Sequence, residues 1–347
     1  MSNNPREQGF KMSIMKTLIT VAIGVSLLYV FRYMTNSNTS KKEHIMHNNY
    51  NGKYVKSDEI ELWTETFGYK TNPAILLISG AMGSARGWTD EFCSYLANQG
   101  FFVIRFDHRD TGLSSSIDYA KNPYLLDDMV EDIIAIVDAY NINKVHLVGH
   151  SVGGILAQLG AVKYPDRFSS LTIISGKAVE EPELTEQEKK TLEKTWEILL
   201  ANKPTLDFDE SIDGFLKSYK YLSGSIPFDA EMARADVKDM YERSKHMYKT
   251  KNGQVKAFEV PHNHVQAQKE IGLTKDDLQN ITIPTLIIHG QEDYLVLPVH
   301  AKMTAQAIPE SRLIIIPGMG HMFFNRNIEK HLADLIVNHI QNKRKAI

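Results

Sequence analysis

Short apolar runs alternate along this chain with longer stretches in which apolar residues recur every three or four positions. Ala74 to Ile78, Phe101 to Phe106, Val145 to Val148, Leu171 to Ile174, Thr285 to Ile288 and Leu313 to Ile316 are near-continuous apolar segments. That is the pattern of strands buried on both faces. Glu59 to Phe67 roughly alternates polar and apolar residues instead, which predicts an antiparallel strand at a sheet edge. Helical spacing fills the intervals: Trp88 to Asn98, Leu125 to Tyr140, a helix opening at Val152, and Asn325 to Ile340. In the second of these, Met129, Val130, Ile133, Ile134, Ile136 and Val137 make one apolar face. Strand and helix in alternation predict an α/β fold, a mainly parallel sheet covered by helices on both faces.

Two regions break the rhythm. Between about 176 and 274 helical patterns continue without convincing strands. Thr185 and Glu188 form a capping box and Asp229 caps a second helix, so this block reads as a helical cap inserted between two core strands. Such an insertion shapes a pocket and excludes water. At the N-terminus, Thr17 to Phe31 is an uncharged, mainly apolar run with Lys16 before it and Arg32 after it. Extended to 13–34 with the flanking cations snorkelling, it reaches the ~20 residues that a bilayer core requires. A single-pass anchor over 1–34 is therefore expected, with signal-peptide cleavage and export as the alternative. Lys41 and Lys42 balance the basic residues on the other side, so the orientation stays open. Residues 35–52 are rich in Asn, Ser, Thr and Lys and read as a polar linker, with His44 and His47 solvated in it. The globular domain then runs over 53–347.

Composition narrows the choice of partner. The 347 residues are 43% hydrophobic and 23% charged with a formal net charge of −3, so no basic surplus exists to neutralise the phosphates of a nucleic acid. The single cysteine, Cys93, excludes an intrachain disulfide and lies in a helical pattern, as a buried structural thiol would.

Chemistry concentrates at Gly149-His150-Ser151-Val152-Gly153, between the Val145 strand and the following helix. A serine on a sharp strand-to-helix turn projects its hydroxyl away from the sheet, and Gly149 and Gly153 flank it because a Cβ at either place would crowd the neighbouring chain. The helix aims its free N–H groups at whatever that serine attacks. The serine needs a base and an orienting acid. His321, behind Pro317-Gly318-Met319-Gly320 and directly after the last strand, is best placed; His289 is a weaker rival, and His146 and His150 are poorly placed. His262 and His264, either side of Asn263, read as cap or surface residues, since no partner set with zinc spacing is visible. Asp293, just beyond a strand end, is the candidate acid, with Glu180 and Glu181 as fallbacks. The order Ser151, Asp293, His321 matches that of the α/β-hydrolase arrangement.

These motifs together resemble the α/β-hydrolase superfamily over roughly Tyr54 to His339. Ile78-Ser79-Gly80-Ala81-Met82, Gly87-Trp88 and Arg105-Phe106-Asp107-His108-Arg109-Asp110-Thr111-Gly112 resemble, more narrowly, the branch containing aclacinomycin methylesterase. The resemblance implies an α/β-hydrolase fold with an eight-stranded sheet and a Ser151–His321–Asp293 triad. It implies an oxyanion hole built from the backbone N–H groups of Ala81 and Val152 beside a turn at Gly80, and no cofactor or metal. Ser79 stands where the superfamily usually begins His-Gly; because the hole uses backbone, the change is tolerable. Asp107 to Gly112 is expected to form a fixed turn beside the site, with Arg109 a structural ion-pair partner. The expected activity is hydrolysis of a carboxylic ester, of a small molecule or of a lipid held near the anchor. Amide, thioester or C–C bond cleavage, or ligand binding without catalysis, are the alternatives.

Overall fold

A computed structural model describes residues 52–202, 208–244 and 259–344. The N-terminal apolar run and most of the linker, including His44 and His47, lie outside the described residues. Among the described residues no helix is long and apolar enough to cross a membrane.

Eight strands form one sheet: β1 (Gly52–Ser57), β2 (Ile60–Phe67), β3 (Ala74–Ile78), β4 (Phe102–Phe106), β5 (Val145–His150), β6 (Phe168–Ile174), β7 (Thr285–Gly290) and β8 (Arg312–Ile316). Their order is β1-β2-β4-β3-β5-β6-β7-β8, antiparallel at the first two pairings and parallel from β4 to β8. Every residue of β3 is buried, as its unbroken apolar run requires. One expectation needs correction. The Glu59 to Phe67 segment is antiparallel, but it is not the edge: β1 pairs outside it through a hairpin whose turn residue Asp58 has φ +50°. The sequence of β1 hides it, because only Val55 and Ser57 turn inward while Lys53 and Lys56 face solvent. Lysines on an outer strand discourage pairing with another chain.

Helices α1 (Asp90–Asn98), α2 (Leu126–Ala139) and α3 (Val152–Lys163) follow β3, β4 and β5 in turn. Helices α4 (Glu186–Ala201), α5 (Phe208–Leu222), α6 (Ala230–Ser244) and α7 (Glu259–Ala267) lie between β6 and β7 in the chain. The short α8 (Lys275–Leu278) precedes β7, α9 (Pro298–Ala307) follows it, and α10 (Arg326–Arg344) closes the chain. Two apolar clusters sandwich the sheet: α1 and α10 pack on one face, α2, α3 and α9 on the other. Thr185 and Glu188 make the reciprocal capping box that opens α4, and Asp229 accepts the Met232 N–H at the start of α6. Helices α5 and α6 share a small core of their own, in which Ile212, Leu216, Ala233 and Val237 meet Phe324. Cys93 is buried in α1, and burial pushes its thiol up to about 12, so it packs rather than reacts.

Candidate active site

Ser151 sits between β5 and α3 with φ +54° and ψ −118°. A non-glycine residue held in that region costs about 1–3 kcal/mol and persists only where its surroundings enforce it. Here the Ser151 N–H donates to Ile174 O at 2.9 Å, and the Gly154 N–H donates to Ser151 O at 2.9 Å. Flanking side chains have no room. A Cβ on Gly149 would stand 2.1 Å from Gly153 O, and one on Gly153 would stand 2.3 Å from Ile78 O. The turn therefore closes only on glycine at both places.

The loops after β7 and β8 meet Ser151. His321 Nε2 lies 3.1 Å from Ser151 Oγ, and His321 Nδ1 lies 2.8 Å from Asp293 Oδ2. The other carboxylate oxygen, Oδ1, accepts the backbone N–H groups of Leu295 and Val296 at 3.1 and 2.8 Å. Desolvation alone would push the Asp293 carboxyl up. The His321 ring and hydrogen bond, with His289 and the Val296 N–H, more than offset it and hold this buried group below its ordinary range. A carboxylate so placed fixes the imidazole with its proton on Nδ1 and leaves Nε2 free to accept from Ser151.

The rival histidines have other partners. His289 points Nε2 at Val296 O, 2.7 Å away, and stands 3.4 Å from Asp293 Oδ2. His146 bonds Ser170 Oγ. His150 donates from Nε2 to the carbonyl of His321 itself, at 3.0 Å, and burial pushes its ring down to about 3, so it stays neutral. Its place next to Ser151 hides this role, which supports the His321 backbone. The fallback acid Glu181 pairs with Lys177 at the surface. Arg109 holds the buried Asp132 with two contacts, 2.7 and 2.8 Å, as a structural ion pair. The following turn has φ +67° at Asp110 and +53° at Gly112.

The loop after β3 lies across from the serine turn. Gly80 O accepts the Gly83 N–H at 3.1 Å, Ser79 Oγ donates to Ser84 O at 2.8 Å, and Met82 has φ +61°. The Met82 N–H donates to His264 Nδ1 at 2.9 Å, whereas the N–H groups of Ala81 and Val152 have no acceptor among the described residues. Both expected donors are thus unspent. His264 is fully buried, which corrects the surface alternative; it joins the cap to this loop. Asn263 beside it donates to Asp110 Oδ2 at 3.0 Å. The cap also sends Arg243 between Glu65 and Asp107, at 2.9 and 2.8 Å, and Asp107 in turn accepts the Ala85 N–H. No periodicity marks Arg243 or His264 as buried, because each is a polar residue that reaches a distant carboxylate or backbone group only after folding. Among the described residues, no three His, Cys, Asp or Glu side chains converge in a way that could hold a metal ion.

Residues 73–326 match the family described as alpha/beta hydrolase fold. Rhodomycin D methylesterase DauP of Streptomyces sp. (strain C5) is 31% identical over 283 residues, covering 78% of this chain and 91% of the relative. Rhodomycin D methylesterase DnrP of Streptomyces peucetius is 30% identical with the same coverage. A meta-cleavage product hydrolase from Pseudomonas fluorescens IP01 superposes with a TM-score of 0.63 at 19% identity, over 85% of this chain and 100% of its own, a likeness of fold alone.

Proposed function

The chain belongs to the α/β-hydrolase fold family, and from that premise we propose that it hydrolyses a carboxylic ester through an acyl-enzyme on Ser151. The observation that carries the reading is the hydrogen-bonded series Ser151 Oγ, His321, Asp293, with heavy-atom separations of 3.1 and 2.8 Å. His321 Nε2 takes the hydroxyl proton as Ser151 Oγ bonds to the carbonyl carbon, and Asp293 stabilises the imidazolium that forms. The N–H groups of Ala81 and Val152 receive the oxyanion; one such donor is worth roughly 3 kcal/mol of barrier. Collapse breaks the carbon–oxygen bond, and His321 returns its proton to the departing alcohol. Water, deprotonated by the same ring, then attacks the acyl carbon and releases the acid.

Methyl esters are the first substrates to try, because both relatives are named as methylesterases. In the same reading the apolar run from Thr17 to Phe31 holds the domain at a membrane, where lipid acyl esters become accessible. Alkaline carbonate extraction of the full chain checks this: an anchored protein stays with the membrane pellet, and recovery in the supernatant refutes the anchor.

The deciding experiment compares wild type with Ser151→Ala and Asp293→Asn on methyl and p-nitrophenyl esters, with a fluorophosphonate probe in parallel. Ser151→Ala should neither label nor turn over, and Asp293→Asn should lose about 10⁴-fold in kcat while keeping its fold. A folded wild type that neither labels nor hydrolyses any ester would end the esterase reading. Turnover of amides or thioesters alone would move it to those bonds.

A further inference from the structure

We propose that His264, carried by cap helix α7, is the positioning residue for the oxyanion hole. Its Nδ1 grips the Met82 N–H and so aims the neighbouring Ala81 N–H at the oxyanion, completing the hole only while α7 is seated. The inference rests on the esterase reading above and adds a cap residue to its machinery.

The loop bearing Ala81 is held at three successive backbone groups. His108 Nε2 lies 3.0 Å from Ser79 O, Gly80 O accepts the Gly83 N–H, and the Met82 N–H donates to His264. Between these fixed points the Ala81 N–H has no acceptor among the described residues and is left to point at a ligand. The hold at Met82 matters most, because that residue has φ +61° and a methionine does not keep a left-handed backbone unless a partner enforces it. His264 comes from a helix 182 positions away in the chain, so this grip is a tertiary contact and not a property of the loop.

The ring is committed to the task in one state only. Nδ1 faces a backbone donor, and Nε2 faces the Arg109 carbonyl at 2.7 Å. Only the neutral tautomer with its proton on Nε2 satisfies both; a second proton would set Nδ1–H against the Met82 N–H. Burial, with His108 and the Arg109 guanidinium nearby, pushes the ring down to about 3 and keeps it in that state. Asn263, on the same helix, bonds Asp110 and brings α7 onto the adjacent turn.

Two substitutions separate aiming from simple cap attachment, both in the full chain. His264→Phe keeps the ring volume and removes both contacts. His264→Asn keeps an acceptor near the Nδ1 position and gives up the Arg109 contact. The phenylalanine variant should lower kcat on p-nitrophenyl butyrate by about 10- to 100-fold, below the loss of an entire donor, with KM within about twofold. It should weaken inhibition by a trifluoromethyl ketone with the same acyl chain by the same factor, since the ketone adduct places an oxyanion in the hole. The asparagine variant should recover most of both. Unchanged kcat in the phenylalanine variant, or a kcat loss without loss of ketone affinity, overturns the proposal. So does a loss that follows a fall in Tm and is not rescued by asparagine. The ¹⁵N spectrum of the wild-type imidazole decides the point even if the phenylalanine variant does not fold or wild type hydrolyses no ester. A neutral Nε2–H ring supports the grip, and an Nδ1–H or doubly protonated ring refutes it. Absence of wild-type labelling and turnover counts against the esterase reading alone.

Discussion

Two of the places where the cap meets the catalytic domain are built from different materials. At the histidine loop the contact is backbone to backbone. Ser225 N and Ile226 N donate to Gly318 O, Gly320 N donates to Ser223 O, and Met322 N donates to Leu222 O. At the oxyanion loop the contact is made by side chains, Arg243 on Glu65 and Asp107, Asn263 on Asp110, and His264 on Met82 and Arg109. Backbone ladders depend on shape and tolerate changes of side chain unless an added atom blocks the approach. Contacts through buried charge and imidazole depend on one group each, so a single substitution or a single proton undoes them. The base of the proposed mechanism is therefore seated robustly, and its oxyanion hole is seated by removable parts.

Among changes at these two contacts, the largest effect should come from blocking the backbone ladder. A Cβ at Gly320 would lie 2.1 Å from Leu222 O and 2.6 Å from Gly224 N. Gly320→Val must push the loop bearing His321 away, and a displacement of about 1 Å is worth on the order of 10²-fold in kcat. An unimpaired Gly320→Val variant in a steady-state ester assay would show that this ladder does not position the base.

Arg243→Met attacks the other contact. It leaves Asp107 with backbone partners only and Glu65 with Arg105 and the Trp63 indole N–H, so urea denaturation should show a loss of about 3 kcal/mol. A loss below about 1 kcal/mol would mean that the buried network is not what holds the cap.

Acid should also favour the unfolded chain over the native one. His150 and His264 are held down to about 3 in the fold, against 6.5 for a free ring. Between those values each of these rings is protonated in the unfolded chain and not in the native one, so the stability it contributes falls as pH drops from about 6.5 toward 3. Each ring adds about one proton to the slope in that window, as does His300, held down to about 4, over most of it, while Asp110, pushed up to about 6, and Asp236, pushed up to about 7, oppose them. Urea midpoints from pH 7 to 4.5 measure this slope. His264→Asn should flatten it by about one proton, and an unchanged slope would show that the ring is charged in the native state.

The smallest effect belongs to a side chain at the backbone contact. Ser225 Oγ donates to Glu292 Oε1 at the surface, so Ser225→Ala should change stability by no more than about 0.5 kcal/mol and leave kcat within about twofold. A tenfold fall in kcat would mean that side chains matter there after all.

Legibility followed the same division. The apolar runs located six of the eight strands within a few residues, because a strand buried on both faces has no polar position to spare. The Glu59 to Phe67 strand was readable from its alternation but not in its place, since an outer partner as sparsely buried as β1 leaves little trace in apolar pattern. The serine turn was legible through Gly149 and Gly153, whose spacing reports a close backbone approach. Thr185, Glu188 and Asp229 disclosed two helix starts in the cap because capping is a local exchange of hydrogen bonds. Arg243 and His264 carried no such mark.

By itself, then, the sequence determined the alternation of strands and helices, the strained turn at Ser151, and the identity of the histidine and carboxylate placed behind the last two strands. The first two rest on residues near one another in the chain, and the choice of Asp293 and His321 on their places after strands together with the chain order of the α/β-hydrolase arrangement. Only the tertiary structure decided that His264 grips the Met82 N–H, that Arg243 lies between Glu65 and Asp107, and that His150 supports the backbone of His321. The physical reason is range. Hydrophobic periodicity and capping act within a few residues. A buried polar group finds its partner across more than a hundred positions, where any of many donors and acceptors is open to it until packing excludes the rest.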